Sequence, residues 1–107
     1  MTNYPGVVSD CHDGSGYVVA LDSSAEDIWV KSQFGTTGFI WIGLQFGSSG
    51  YQWDNHVPLG TYNNFAGGVV PTAPSDPCVD NSLSASGVWE AFKCTQAHQS
   101  MCECDAP

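Results

Sequence analysis

The chain has 107 residues, 42% of them hydrophobic, and sets eleven acids against only Lys31 and Lys93 for a formal net charge of -9. That length suits one domain with a modest core, and the apolar content is too high for compositional disorder. The charge argues against nucleic acid, whose phosphates need clustered Lys or Arg, and against an anionic membrane surface; acidity here reads first as a means of staying soluble.

Five cysteines, twelve glycines and 12% aromatics in so short a chain point to an oxidising compartment, and so to a secreted or extracellular protein. No apolar run reaches the length that spans a bilayer, so no membrane insertion is expected. The start, "MTNYPGVVSDC", lacks the charged and apolar regions of a signal peptide, which implies a mature fragment or a truncated form.

Taken in chain order, a first helix is expected near residues 3 to 13, with Asn3 as cap, Pro5 in the first turn, Val7 and Cys11 on one face, and Gly14 and Gly16 ending it. "YVVAL" (Tyr17 to Leu21) is a short β-favouring run. Ser23 and Glu26 have capping-box spacing for a second helix, whose inward stripe reads as Ala25, Ile28, Trp29 and Ser32. Glu26 and Asp27 at its start suit the helix dipole. "FIWIGLQF" (Phe39 to Phe46) is β-branched and aromatic, and "GSSG" turns it into "YQW" (Tyr51 to Trp53). From Asp54 to Pro77 runs a long stretch without period, read as a functional surface because strong strands flank it. "CVDNSL" and "GVWEAFKC" are two strands joined at "SASG", and "SMCEC" is a last short one. Helices first and antiparallel strands later make an α+β pattern.

The order of landmarks resembles the C-type lectin-like domain family: "SDCHDGSGYVVALDSSAEDIWV", then "WIGL" (Trp41 to Leu44), "YQWDN", "YNNF", Cys78, "VWEAFKC" and "MCE" (Met101 to Glu103). The likeness covers about residues 4 to 104 and implies a C-type lectin-like fold, with two helices packed on small antiparallel sheets and a long loop, over residues 1–107. Four cysteines permit three pairings; the resemblance implies Cys11 with Cys102 and Cys78 with Cys94. On a chain-entropy model these contribute roughly 4–5 and about 3 kcal/mol. Trp41, Trp53 and Trp89 then read as core aromatics. Two departures stand out. The family's opening strand is missing, so the final strand is expected to lack a neighbour and leave an open edge. Cys104 has no family partner; it is expected to bridge to a missing segment or to join two chains in a disulfide-linked dimer, in preference to standing free.

Sugar-binding members of the family place Glu-Pro-Asn or Gln-Pro-Asp in the long loop and Trp-Asn-Asp on the next strand, and those oxygens ligate calcium. Here the loop motif reads Val70, Pro71, Thr72 and the strand motif Trp89, Glu90, Ala91. Val70 and Ala91 offer no side-chain oxygen and Thr72 a poor one; Glu90 and Asp76 alone fall short of the six to eight oxygens calcium takes. No cofactor is therefore expected. His12 and His56 lack zinc spacing, and neither "GSSG" nor "DGSG" is a nucleophile elbow, so no catalysis is expected. The residues left for a ligand are His56, Tyr62, Asn63, Asn64, Asp76 and Glu90. The expected function is non-catalytic extracellular recognition, of carbohydrate by a calcium-independent route; the alternatives are recognition of a protein, or an assembly role through Cys104.

Overall fold

The computed structural model describes residues 1–72, 74–84 and 86–104. Helix α1 (Tyr4–Asp13) begins where the Asn3 side chain accepts from the Gly6 N–H at 3.0 Å, with proline in the first turn. Tyr4, Val7 and Cys11 form its buried face, the i, i+3/i+4 stripe of an amphipathic helix. Strand β1 (Tyr17–Val18) follows. Helix α2 (Ser24–Ser32) is capped by Ser23 Oγ, which accepts from the Glu26 N–H at 3.2 Å, while Glu26 Oε1 accepts from the Asp22 N–H at 2.7 Å.

The inward face of α2 is not the stripe expected from its apolar residues. Ile28 is 68% and Trp29 58% exposed, Ala25 and Ser32 also face outward, and the buried pair is Asp27 and Val30. The reason is polar: Asp27 accepts three hydrogen bonds, two of them buried, as described below, and that fixes the helix phase. A carboxylate read as a dipole partner is instead an internal anchor.

Five strands form one sheet in the order β3-β2-β4-β5, with β6 beside β2. Strand β2 (Phe39–Gly47) turns through Ser48 and Ser49 into β3 (Gly50–Trp53), pairing Leu44 with Trp53 and Gln45 with Gln52. Strands β4 (Cys78–Ser82) and β5 (Trp89–Phe92) are antiparallel, with Asp80 opposite Glu90. Residue 85 of the expected "SASG" junction lies outside the described residues. The last expected strand divides into β6 (Gln99–Ser100), parallel to β2, and β7 (Cys102–Glu103). Strand β7 is not left alone: β1 pairs with it, Tyr17 opposite Glu103 and Val18 opposite Cys102. The short run after α1 supplies the neighbour that the missing opening strand was expected to withhold.

Gly43 lets these layers meet. The β2–β4 register shifts between Trp41 and Gln45, and there the Gly43 N–H donates to Val19 O at 2.8 Å. A Cβ on Gly43 would sit 2.4 Å from Val18 O, so only glycine admits the crossing chain.

The stretch from Asp54 to Pro77 has more order than its composition suggests. It makes a bridge from Pro58 to Gln52, a 3-10 turn at Ala66–Gly68, and a bridge from Phe65 to Trp89. Phe65 is buried in the main core with Trp53 and Trp89, and Tyr62 packs against the same cluster. Trp41 lies in a second cluster with Tyr4, Val7, Cys11, Val18 and Cys78. All three expected core tryptophans are buried. Cys11 is bonded to Cys102 and Cys78 to Cys94, the pairing that the resemblance implied, while Cys104 is exposed and free. Among the described residues no helix is long and apolar enough to cross a membrane.

Candidate functional site

Alternation along the β2–β3 hairpin decides what faces outward. Leu44 and Trp53 point into the core, so their neighbours Gln45 and Gln52, paired across the strands, stand together on the opposite face. Past Trp53 the chain curls over that face in a tight turn. His56 holds a left-handed φ of 70° and its N–H donates to Trp53 O at 2.8 Å, while the Trp53 N–H donates to Val57 O at 2.8 Å. Asn55 Oδ1 accepts from the Val57 N–H at 3.1 Å, the local bond that makes Asn a turn former.

Asp54 fastens this turn to the rest of the molecule. Its Oδ2 accepts from the Val18 N–H at 2.8 Å and lies 2.9 Å from His12 Nε2, so one carboxylate oxygen ties the turn to β1 and α1. The result is a cleft of about 380 Å³ lined by the hairpin tip, Gln45, Gln52, Trp53, Asp54 and His56. Among the described residues, the side chains of Gln45, Ser48, Ser49, Gln52 and His56 make no hydrogen bond within the chain. The buried Trp53 Nε1 also has no acceptor.

A second cleft, of about 260 Å³, lies between α2 and the long loop and is lined by Asp27, Ile28, Lys31, Tyr62 and Asn64, among others. Four of its polar side chains, Asp27, Lys31, Tyr62 and Asn64, are already committed. Asp27 accepts from Tyr62 OH at 2.9 Å, Asn81 Nδ2 at 2.8 Å and Trp89 Nε1 at 3.0 Å. Burial, followed by the hydrogen bond to Asp27 and its charge, pushes the Tyr62 hydroxyl up to about 12. Lys31 Nζ and Asn64 Nδ2 both donate to Gly87 O, at 3.2 and 3.4 Å, and Asn64 O accepts from the Trp89 N–H at 2.9 Å.

The six expected ligand residues therefore do not converge. Tyr62 and Asn64 meet in the second cleft and His56 lines the first. Asn63 Oδ1 turns back to accept from the Phe65 N–H at 3.1 Å. Asp76 lines neither of these clefts. Glu90 stands opposite the fully buried Asp80, whose Oδ2 is 2.9 Å from His98 Nε2. Asp80 Oδ1 has no hydrogen-bond partner among the described residues, and the acid paired opposite it across β4 and β5 is Glu90. Burial first and the neighbouring Glu90 second raise the Asp80 carboxyl to about 8, and burial lowers the His98 imidazole. Sequence reasoning missed Gln45, Ser48, Ser49, Gln52 and Asp54; the register of the hairpin was the signal for the glutamines, and nothing local marked Asp54.

The frame of two helices, a hairpin-fed sheet and two bridges has relatives. The Lectin C-type domain family model matches residues 2–104. No curated protein sequence matches the chain. The mouse scavenger receptor C-type lectin carbohydrate-recognition domain is 23% identical, with a TM-score of 0.77 over 94% of this chain and 81% of that one. The C-type lectin domain of murine dendritic cell inhibitory receptor 2, solved in complex with an N-glycan, is 20% identical, with a TM-score of 0.75 over 89% of this chain and 76% of that one. A calcium-independent type II antifreeze protein is 21% identical, with a TM-score of 0.73 over 94% of this chain and 77% of that one. At such identities these structures speak for the fold, and the family model, matched over nearly the full length, says that this chain belongs to the C-type lectin domain family.

Proposed function

We propose that this domain is an extracellular, non-catalytic recognition module that binds carbohydrate at the β2–β3 hairpin cleft without calcium. One observation carries the reading. The cleft lined by Gln45, Ser48, Ser49, Gln52 and His56 offers amides, hydroxyls and an imidazole that no partner in the chain has taken. Sugar hydroxyls need such convergent donors and acceptors, and a cleft of this size suits a small ligand. The hairpin pairing and the Asp54 anchor fix the backbone that carries these groups, so binding has only their side chains to order.

The residues at the family's calcium positions do not fit the ion. Calcium takes six to eight hard oxygens, yet Val70 and Ala91 supply none from their side chains, and the Glu90 carboxyl is engaged with Asp80. A neighbour of the same fold is itself described as calcium-independent. A glycan array run with and without EDTA tests the reading: binding that persists in chelator is expected, and binding that chelator abolishes contradicts it.

A second reading, recognition of a protein, draws on Ile28 and Trp29, which α2 leaves exposed beside one another. A blank array together with a partner whose binding is lost on Trp29→Ser would favour it. Exposed Cys104 offers a route to a disulfide-linked dimer; non-reducing electrophoresis against a Cys104→Ser variant decides that point.

A further inference from the structure

We propose that the hairpin cleft selects an amine-bearing sugar over an acidic one, with Asp54 Oδ1 accepting from the ligand's ammonium; this rests on reading the cleft as a glycan site. The Asp54 side chain is only 9% exposed, yet it lines the cleft. Both hydrogen bonds that position it, from the Val18 N–H and His12, end on Oδ2. Among the described residues Oδ1 receives no donor. Oδ1 is not among the buried polar atoms left without a partner, so it opens to the cleft, where an entering ligand N–H can take the place of water. Because α1 and β1 fix the carboxylate through its other oxygen, Oδ1 is held in one orientation beforehand.

The lysines point the same way, and the imidazoles of His56, which lines the cleft, and His12, 2.9 Å from Asp54 Oδ2, oppose it only when protonated. Neither Lys31 nor Lys93 lines the cleft, so an acidic sugar would meet a carboxylate with no lysine to offset it. The chain's formal charge of -9 repels anions on approach and draws cations in. Gln45, Gln52, Ser48 and Ser49 are neutral and serve hydroxyls of either ligand equally; discrimination falls to Asp54.

The test is calorimetry in EDTA with three disaccharides of one linkage: free-amine glucosamine, its N-acetylated form, and a glucuronate-bearing form. At low salt the free amine is expected to bind roughly tenfold tighter than the acetylated sugar, as a charge-assisted hydrogen bond allows. That margin shrinks at high salt, and the acidic sugar binds weakest. Equal or tighter binding of the acetylated or acidic sugar, or no binding of any of the three, overturns this inference; the glycan reading itself falls only with the array. A Ser49→Lys variant at the exposed hairpin tip supplies an independent check, since it leaves the Asp54 anchor intact. It should erase the preference for the amine and improve binding of the acidic sugar; an unchanged order of the three ligands overturns the proposal.

Discussion

The two clefts hold similar kinds of side chain and use them in opposite ways. Around Asp27 the Tyr62 hydroxyl, Asn81 amide N–H and Trp89 indole each donate to the one carboxylate, joining α2, the long loop, β4 and β5. Around Gln52 the amides, hydroxyls and imidazole stand on a rigid hairpin without partners in the chain, and only Asp54 is fastened. Polar groups that satisfy each other make scaffold. Those held in place but unsatisfied make a binding surface.

The comparison breaks first at Asp27. Replacing it by Ala strips two buried donors and one half-buried donor of their acceptor, and the loss is expected to be about 3–5 kcal/mol, read by urea unfolding. A loss under about 1 kcal/mol would mean that the α2 anchor is ornamental.

A pH scan probes the other buried carboxylate. The folded Asp80 carboxyl is raised from its ordinary 3.8 to about 8, so its contribution is fully present below the unfolded value and is lost as pH rises through about 8. His98 is lowered from 6.5, so its contribution is present above 6.5 and is lost as pH falls. Between these limits the Asp80 effect is unopposed, and the unfolding temperature should drop from pH 6.5 to 8.5. Glu90→Gln, which removes the neighbouring charge, should shallow that drop. A temperature that holds or climbs over this interval contradicts the assignment.

Along α2 the sharper contrast is between adjacent positions. Val30→Ala should cost about 2 kcal/mol through lost burial, whereas Ile28→Ser and Trp29→Ser should stay within about 0.5 kcal/mol. The reverse pattern would restore the apolar stripe read from the sequence.

The smallest expected stability change belongs to the hairpin. Removing both Gln45 and Gln52 side chains as Ala should alter stability by no more than about 0.5 kcal/mol, yet weaken glycan binding roughly tenfold. Equal losses in both would make the amides structural.

Much of the frame was legible because its signals are local or strongly spaced. Caps at Asn3 and Ser23, the hairpin around "GSSG" and the cysteine–tryptophan spacing each carry their own physical cause. The phase of α2 was not legible, because apolar Ile28 and Trp29 imitate an inward stripe while the residue that sets the phase is a carboxylate. The partner of β7 was missed for a related reason: β1 is two residues long and its pairing spans most of the chain. Of the candidate site, His56 was visible as a polar loop residue. Gln45 and Gln52 lay inside a strand whose apolar members drew the eye, and Asp54 gains its meaning only from His12 and Val18, far away in sequence.

The most direct test is a backbone amide NMR titration with an array-positive glycan in EDTA. Shifts confined to residues 45–56 are the expected result. Shifts centred on 24–31 and 62–64, or on 70–76 and 90–91, would place recognition elsewhere and contradict the assignment of the hairpin cleft.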